Sequence, residues 1–447
     1  MKMGLLDQFG LRLTASDRSA VGYFDSAVRR MLSFQRDPLA DLDRAITADP
    51  GFLMAYVLKA LILGLSTEKS LLADAQATLS FGKRIVSASS RETKHVAAVE
   101  AWLGGRFSEA SAIWENILIE HPNDAIAMFA AHQGDFFLGL LGELRDRVAR
   151  RLPDIEKGSA VEGYYWGMYA FGLEENGDYA KALDLGRRAV QREKNDAWAI
   201  HAVAHVFEMT NRVDEGEQWL LTHASDWVDS GLAVHIAWHL ALYYCDRQRW
   251  DRVLDLYDTH IRRPASTAVM ELLDASALLW RLKMYGVDVG NRWNILADVW
   301  EPRIEEAWYA FNDMHAMMAF AGAGRFDLAR RLIGVLERTA ATLTENGTVT
   351  RAIGLPVSGA LLAYAETRYT EAVMLLGPIR TLVVRAGGSH AQRDVLAQTL
   401  LSAAEKAGQI QLARALLNER LALRPISGLN QTWMDRVMGT FCRRNKP

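Results

Sequence analysis

Two pairs of histidines stand in the middle of the chain, His201 with His205 in HAVAHVFEM and His235 with His239 in HIAWHLALYY. Each pair is spaced i, i+4, and Glu208 follows His201 at i+7, so on a helix these groups share one face. Histidine is a modest helix former and a poor filler for an apolar core. Two chemistries suit such a cluster. Neutral imidazole transfers protons near pH 7, with its pKa and tautomer set by burial or a neighbouring carboxylate. Imidazoles at i, i+4 also ligate metal ions. HAVAH is not the HExxH of zinc proteases, because Ala202 stands where that motif has glutamate. Glu208 or Asp313 has the chemistry of a third ligand, but nothing in the spacing fixes it. The expectation is therefore acid–base chemistry with no metal and no other cofactor.

The elements that must position these groups show through their turns. Only ten prolines occur in 447 residues, and apolar residues recur at helical spacing. Residues 104–110 read GGRFSEA, 177–182 GDYAKA and 324–329 GRFDLA, with weaker versions in ETRYTEA (366–372) and GQIQLA (408–413). Each has a helix-stopping residue, an apolar residue two positions on and a small alanine further on. The pattern resembles the tetratricopeptide repeat, an antiparallel helix pair in about 34 residues. The clearest unit is residues 164–196; another runs from about 91 to 124 and ends in HPND, where Pro122 stops the second helix. Such pairs bury their apolar stripes only by stacking, so the expected fold is all-α, a right-handed superhelix of tetratricopeptide-like helix pairs. One continuous array is expected, with degenerate helical repeats over 1–90, repeats carrying the histidines over 91–260, and C-terminal repeats closing the groove over 261–447. Residues 262–310 lack the motif and read as irregular helices.

With Gly177 as the turn, repeats start near 163 and 197, which puts His201, His205 and Glu208 on a first helix. His201 to His235 and His205 to His239 are both 34 residues, one repeat length, so both pairs are expected to face the concave groove on adjacent helices.

Bulk composition excludes several classes. Half the residues are hydrophobic and 23% are charged, which argues for a large folded body. A net charge of -3 offers no general attraction for nucleic acid or anionic lipid. The basic RRNKP at the C-terminus reads as a solvated tail. Two cysteines, Cys245 and Cys442, fit a reducing compartment, with Cys245 read as a buried filler. The first residues lack the apolar run of a secretory signal. The most hydrophobic stretch, residues 52–65, is interrupted by Lys59 and too short to span a bilayer. A cytoplasmic protein without membrane or nucleic-acid partners is expected.

Beyond the repeat, the chain resembles the tetratricopeptide repeat protein 38 family over nearly its whole length. The resemblance rests on GMYAFGL (167–173), DAWAIHAVAHVFEM (196–209), H-x-x-W-H-x-A-L-Y (235–243), YDTHI (257–261), FNDMH (311–315), GLP (354–356) and GGSHAQRDV (387–395). It implies the helical fold and says little about activity. Its segments add polar groups to the candidate site: Asn312, Asp313 and His315, then Arg393 and Asp394, with Arg351 before GLP. Ser389 and Gln392 read as a capping box. A guanidinium at Arg393 could clamp a carboxylate or phosphate, or instead pair with Asp394 or a neighbouring helix. His132 and Asp135 are expected to approach the groove from the N-terminal side.

There is no GxGxxG, Walker A, GxSxG or CxxC sequence, which disfavours redox and nucleotide chemistry. The leading expectation is an enzyme acting on a small anionic molecule, a hydrolase, lyase or isomerase. His201, His205, Glu208, His235, His239 and His315 would supply acid and base, and Asp313 would orient one imidazole. Arg393, Asp394, Asn312, Arg351 and His132 would contact substrate. The alternatives are a scaffold that binds peptide, as tetratricopeptide arrays commonly do, an assembly role in a homo-oligomer, and a His/Asp metal-dependent hydrolase.

Overall fold

A single backbone device sets the helix pairs. Gly105, Gly177, Gly324 and Gly408 have φ of +74°, +82°, +71° and +72°, and each stands two residues before a new helix begins. The next residue donates its N–H back five positions: Arg106 to Ala101, Asp178 to Leu173, Arg325 to Phe320 and Gln409 to Ala404, at 2.9 to 3.0 Å. This satisfies a carbonyl that the helix end would otherwise leave unpaired, and glycine takes the left-handed conformation without a Cβ clash. Asn211, Gln248 and Thr367 make the same turn at φ +56°, +54° and +62°, with matching bonds from Arg212, Arg249 and Arg368. Those turns carry no glycine, which is why the motif is faint there.

The computed structural model describes residues 5–85, 88–262 and 266–444, without the side chains of 440–444. The readings of the RRNKP tail and of the Cys442 thiol lie outside the described residues. Within these the protein is all-α apart from a two-stranded antiparallel ribbon, Leu5–Leu6 with Arg12–Leu13, and one isolated bridge. No described helix is long and apolar enough to cross a membrane.

The chain forms two compact units, residues 1–203 with 222–233 and residues 204–221 with 234–447. Unit one stacks helix pairs that include Arg18–Leu32 with Pro38–Ala48, Leu53–Leu65 with Leu72–Gly82, Ser90–Leu103 with Phe107–Glu120, and Glu162–Glu175 with Tyr179–Arg192. Two of its helices approach closely at Gly172, where a Cβ would lie 2.3 Å from the Leu144 carbonyl oxygen. Only a residue without a side chain fits there.

Unit two holds all but the first residue of Ala233–Asp246, followed by Trp250–Leu256, Val269–Tyr285, Ala310–Gly322 with Phe326–Ala340, Leu355–Ala365 with Tyr369–Leu376, and His390–Lys406 with Ile410–Leu423. The two helices of a pair differ in kind. Phe326–Ala340 buries Leu328, Ala329, Leu332, Val335 and Leu336 on one stripe, whereas Ala310–Gly322 is buried nearly all round. Polar residues on such first helices have no solvent to turn to. Residues 262–310 differ from the irregular helices expected, because Val269–Tyr285 is a regular 17-residue helix. It ends at Gly286, φ +78°, and the loop that follows is too long for the compact repeat turn. Ser389 accepts from the Gln392 backbone and Gln392 returns the bond, the capping box read from the sequence.

Candidate functional site

Three segments of unit two bring the histidines together. Ala233–Asp246 carries His235 and His239, residues 204–209 carry His205 and Glu208, and Val269–Tyr285 carries Asp274 and Arg281. His239 Nδ1 lies 2.8 Å from Glu208 Oε2, and His235 Nδ1 lies 2.9 and 3.0 Å from the two Asp274 oxygens. An ionised carboxylate only accepts, so Nδ1 of each ring carries a hydrogen. The His239 ring meets those of His205 and His235 edge-on, with centroids 4.4 and 4.9 Å apart. One ring nitrogen from each of the three lies within 4.8 Å of the others.

All three imidazoles are buried, His205 and His239 completely. Burial, with His235 and Arg424 nearby, holds the pKa values of His205 and His239 well below the usual histidine range. They are neutral at pH 7. Burial pushes the Glu208 carboxyl up, opposed by Arg424, 3.6 Å away, and by Arg281. Arg281 is 2% exposed; its guanidinium donates to the carbonyls of Ala277 and Ala391 and lies 5.2 Å over the Trp238 ring. A cleft of about 30 Å³, the size of one water, adjoins Glu208 and is lined by Arg281, Tyr285, Asp394, Arg420 and Arg424 among others. Cys245 also lines it, but burial pushes its thiol up to about 12, so it is no nucleophile.

The remaining candidates divide by location. Asn312 and Asp313 are buried on Ala310–Gly322. The carboxylates that orient imidazoles are Glu208 and Asp274, the role assigned to Asp313 from sequence. Asp274 and Arg281 went unnoticed, although two charges seven residues apart on the apolar run VMELLDASALLWRLKM are a visible signal. His315 gives its Nδ1 hydrogen to the Phe311 carbonyl at 2.8 Å and packs on the Phe311 ring, a core arrangement. Arg393 turns to the Gly388 carbonyl and to His390, 3.4 Å away, while Asp394 is gripped by Arg420. Arg351 is exposed and donates to the Ala340 carbonyl at a helix end. His201 and His132 belong to unit one. His201 packs on Phe171 and Trp198, and His132 meets the same two rings edge-on. Asp135 is held there by Arg147 and Ser111.

Burial also makes a pH prediction. It lowers His315 to about 4, below the unfolded value of about 6.5. The unfolded chain therefore binds protons first, so stability is intact above pH 6.5 and is lost as the pH falls toward the folded value. His205 and His239 act in the same direction. The melting temperature should drop between pH 7 and pH 5, each such residue contributing up to about 1.4 kcal/mol per pH unit. A His315→Gln variant should show a shallower drop. An unchanged slope would contradict the assignment.

Unit one has a separate cleft of about 530 Å³, lined by Arg29, Arg30, Lys194, Asn195, Gln35 and Tyr164, with Glu193 and Asp196. Burial raises Asp196 to about 7 and also raises Glu193, which blunts the negative charge of this cleft.

These elements define the class: an all-helical protein of tetratricopeptide-like helix pairs. No family model matches the chain. Among solved structures, yeast Tom70 is 11% identical, covering 90% of this chain and 92% of that one, with a TM-score of 0.41. The human IFIT1 dimer with m7Gppp-AAAA is 14% identical, covering 96% and 95%, with a TM-score of 0.36. At such scores the likeness bears on neither ligand nor activity.

Proposed function

We propose that the histidine cluster of unit two is the working site of a non-redox enzyme acting on a small anionic molecule, in a chain related to the tetratricopeptide repeat protein 38 family. The observation that carries this is the pair of carboxylate-backed imidazoles, His239 on Glu208 and His235 on Asp274, turned toward a common point with His205. A core histidine satisfies itself on backbone, as His315 does. A single buried His–carboxylate pair also occurs at His95 and Asp124; two such pairs beside a third histidine set this cluster apart, and fixed ring orientations suit proton transfer or ligation. Hydrolysis, elimination or isomerisation fits neutral, oriented bases. Arg424 and Arg281 act on Glu208 and join Arg393 as candidates for the substrate anion. The test is a screen of small carboxylate and phosphate esters with the full chain, comparing wild type with His239→Asn. Turnover that survives the substitution sinks the reading.

The unit-one cleft favours a second reading, peptide binding. Three basic side chains with Asn195 and Gln35 suit an acidic peptide segment. A labelled acidic pentapeptide should bind, weaken as salt rises, and lose about tenfold in affinity, roughly 1.4 kcal/mol, in an Arg29→Ala, Lys194→Ala variant. Equal affinity for a neutral peptide would exclude this reading.

A further inference from the structure

We propose that His205, His235 and His239 form a binding site for a divalent transition-metal ion of the zinc class. The inference deepens the enzyme reading above, since it assigns a cofactor to the same cluster. From sequence alone the i, i+4 pairs lacked a third ligand; the structure supplies one by setting His205 beside His235 and His239, with one nitrogen from each within 4.8 Å of the others.

The surroundings have the form that metal-bound histidines take. Glu208 and Asp274 hold Nδ1 of His239 and His235 at 2.8 and 2.9 Å. Such outer carboxylates fix the tautomer, aim Nε2 inward and raise its basicity. Tetrahedral zinc, with bonds of about 2.0–2.1 Å, places its nitrogens roughly 3.4 Å apart. Donors within 4.8 Å reach that spacing through small side-chain rotations. Three neutral nitrogen donors select zinc, cobalt, nickel or copper over magnesium and calcium, which take oxygen ligands. Charge also balances: the two carboxylates offset a dication that three neutral imidazoles would leave uncompensated. A zinc ion that these three histidines hold with a water in a further position would lower the pKa of that water toward 7. Such a water would supply the base that the acid–base reading gives to the imidazoles.

The full-length protein, stripped with a chelator, would be titrated with Zn²⁺ and, separately, with Co²⁺. The expected result is one equivalent bound and a Co²⁺ spectrum of tetrahedral intensity. Glu208→Gln should weaken affinity 10- to 100-fold, and His235→Asn, His239→Asn should abolish it. Absence of saturable binding, an octahedral Co²⁺ spectrum, or unchanged affinity in the double variant would overturn the proposal. The wild-type spectrum decides the matter even where a variant fails to fold. Turnover by the metal-free protein would overturn the metal's part in catalysis and leave acid–base catalysis standing. Stoichiometric binding without turnover on any screened ester would keep the metal site and sink the enzyme reading.

Discussion

Asp394→Ala is expected to destabilise the protein by about 3 kcal/mol, the low end of the range for stripping one partner from a buried ion pair. The low end applies because the Asp394 side chain keeps 17% exposure and that of Arg420 13%. Asp394 accepts from both terminal nitrogens of Arg420 and from the Gln398 amide at 2.6 Å. Burial alone would push its carboxyl up, but Arg420, Arg424 and Arg281 outweigh burial and hold it well below the ordinary range. Removing the carboxylate leaves three guanidinium groups around one small cleft with Glu208 and Asp246 as the acidic residues lining it. The sign of the pH dependence follows. A carboxylate with a depressed folded pKa stabilises above its unfolded value of about 3.9, and that contribution fades as the pH falls through the folded value. Denaturant melts should show the full gap between wild type and variant at pH 7 and a narrowing gap below pH 4. A difference under about 0.5 kcal/mol at pH 7 would mean the cleft's charges are not coupled as described.

His239→Asn should carry the largest functional effect, a fall in kcat of about 10²- to 10⁴-fold on any ester found to turn over, the scale of losing a positioned acid–base group. His239 stands at the centre of the cluster, with its ring against both His205 and His235 and its Nδ1 on Glu208. Asparagine retains a donor toward Glu208, so the carboxylate is not stranded and the fold should persist. KM should change little, because the substrate anion is assigned to arginines and not to this ring. Steady-state kinetics on a variant shown to be folded by its melt would separate the cases. A raised KM with kcat intact would make His239 a binding residue; wild-type kinetics would remove it from the site.

The fold was legible in sequence because its turns are chemical. Gly105, Gly177, Gly324 and Gly408 announce helix ends that only a left-handed residue closes. Asn211, Gln248 and Thr367 do the same work less visibly. The histidine pairs were legible through their i, i+4 spacing, although the turns at Asn211 and Gln248 make the 34-residue match between the pairs only approximate. Two parts were not. Asp274 and Arg281 come from a helix with no repeat signature, and a 39-residue gap from His235 to Asp274 gives no local cue that the two meet. The partition of unit one from unit two was equally hidden: the boundary between Val203 and Ala204 falls inside one continuous helix. His201 and His205 share that helix, yet His201 packs on the unit-one rings of Phe171 and Trp198.

The central claim, that unit two sets oriented neutral imidazoles around one point, is tested most directly by long-range nitrogen–proton NMR of the ¹⁵N-histidine-labelled, metal-free protein. His235 and His239 should both carry a hydrogen on Nδ1, and His205 and His239 should stay neutral well below pH 6.5. Nε2–H tautomers at His235 and His239, or titration of His205 and His239 near the unperturbed value of about 6.5, would contradict it.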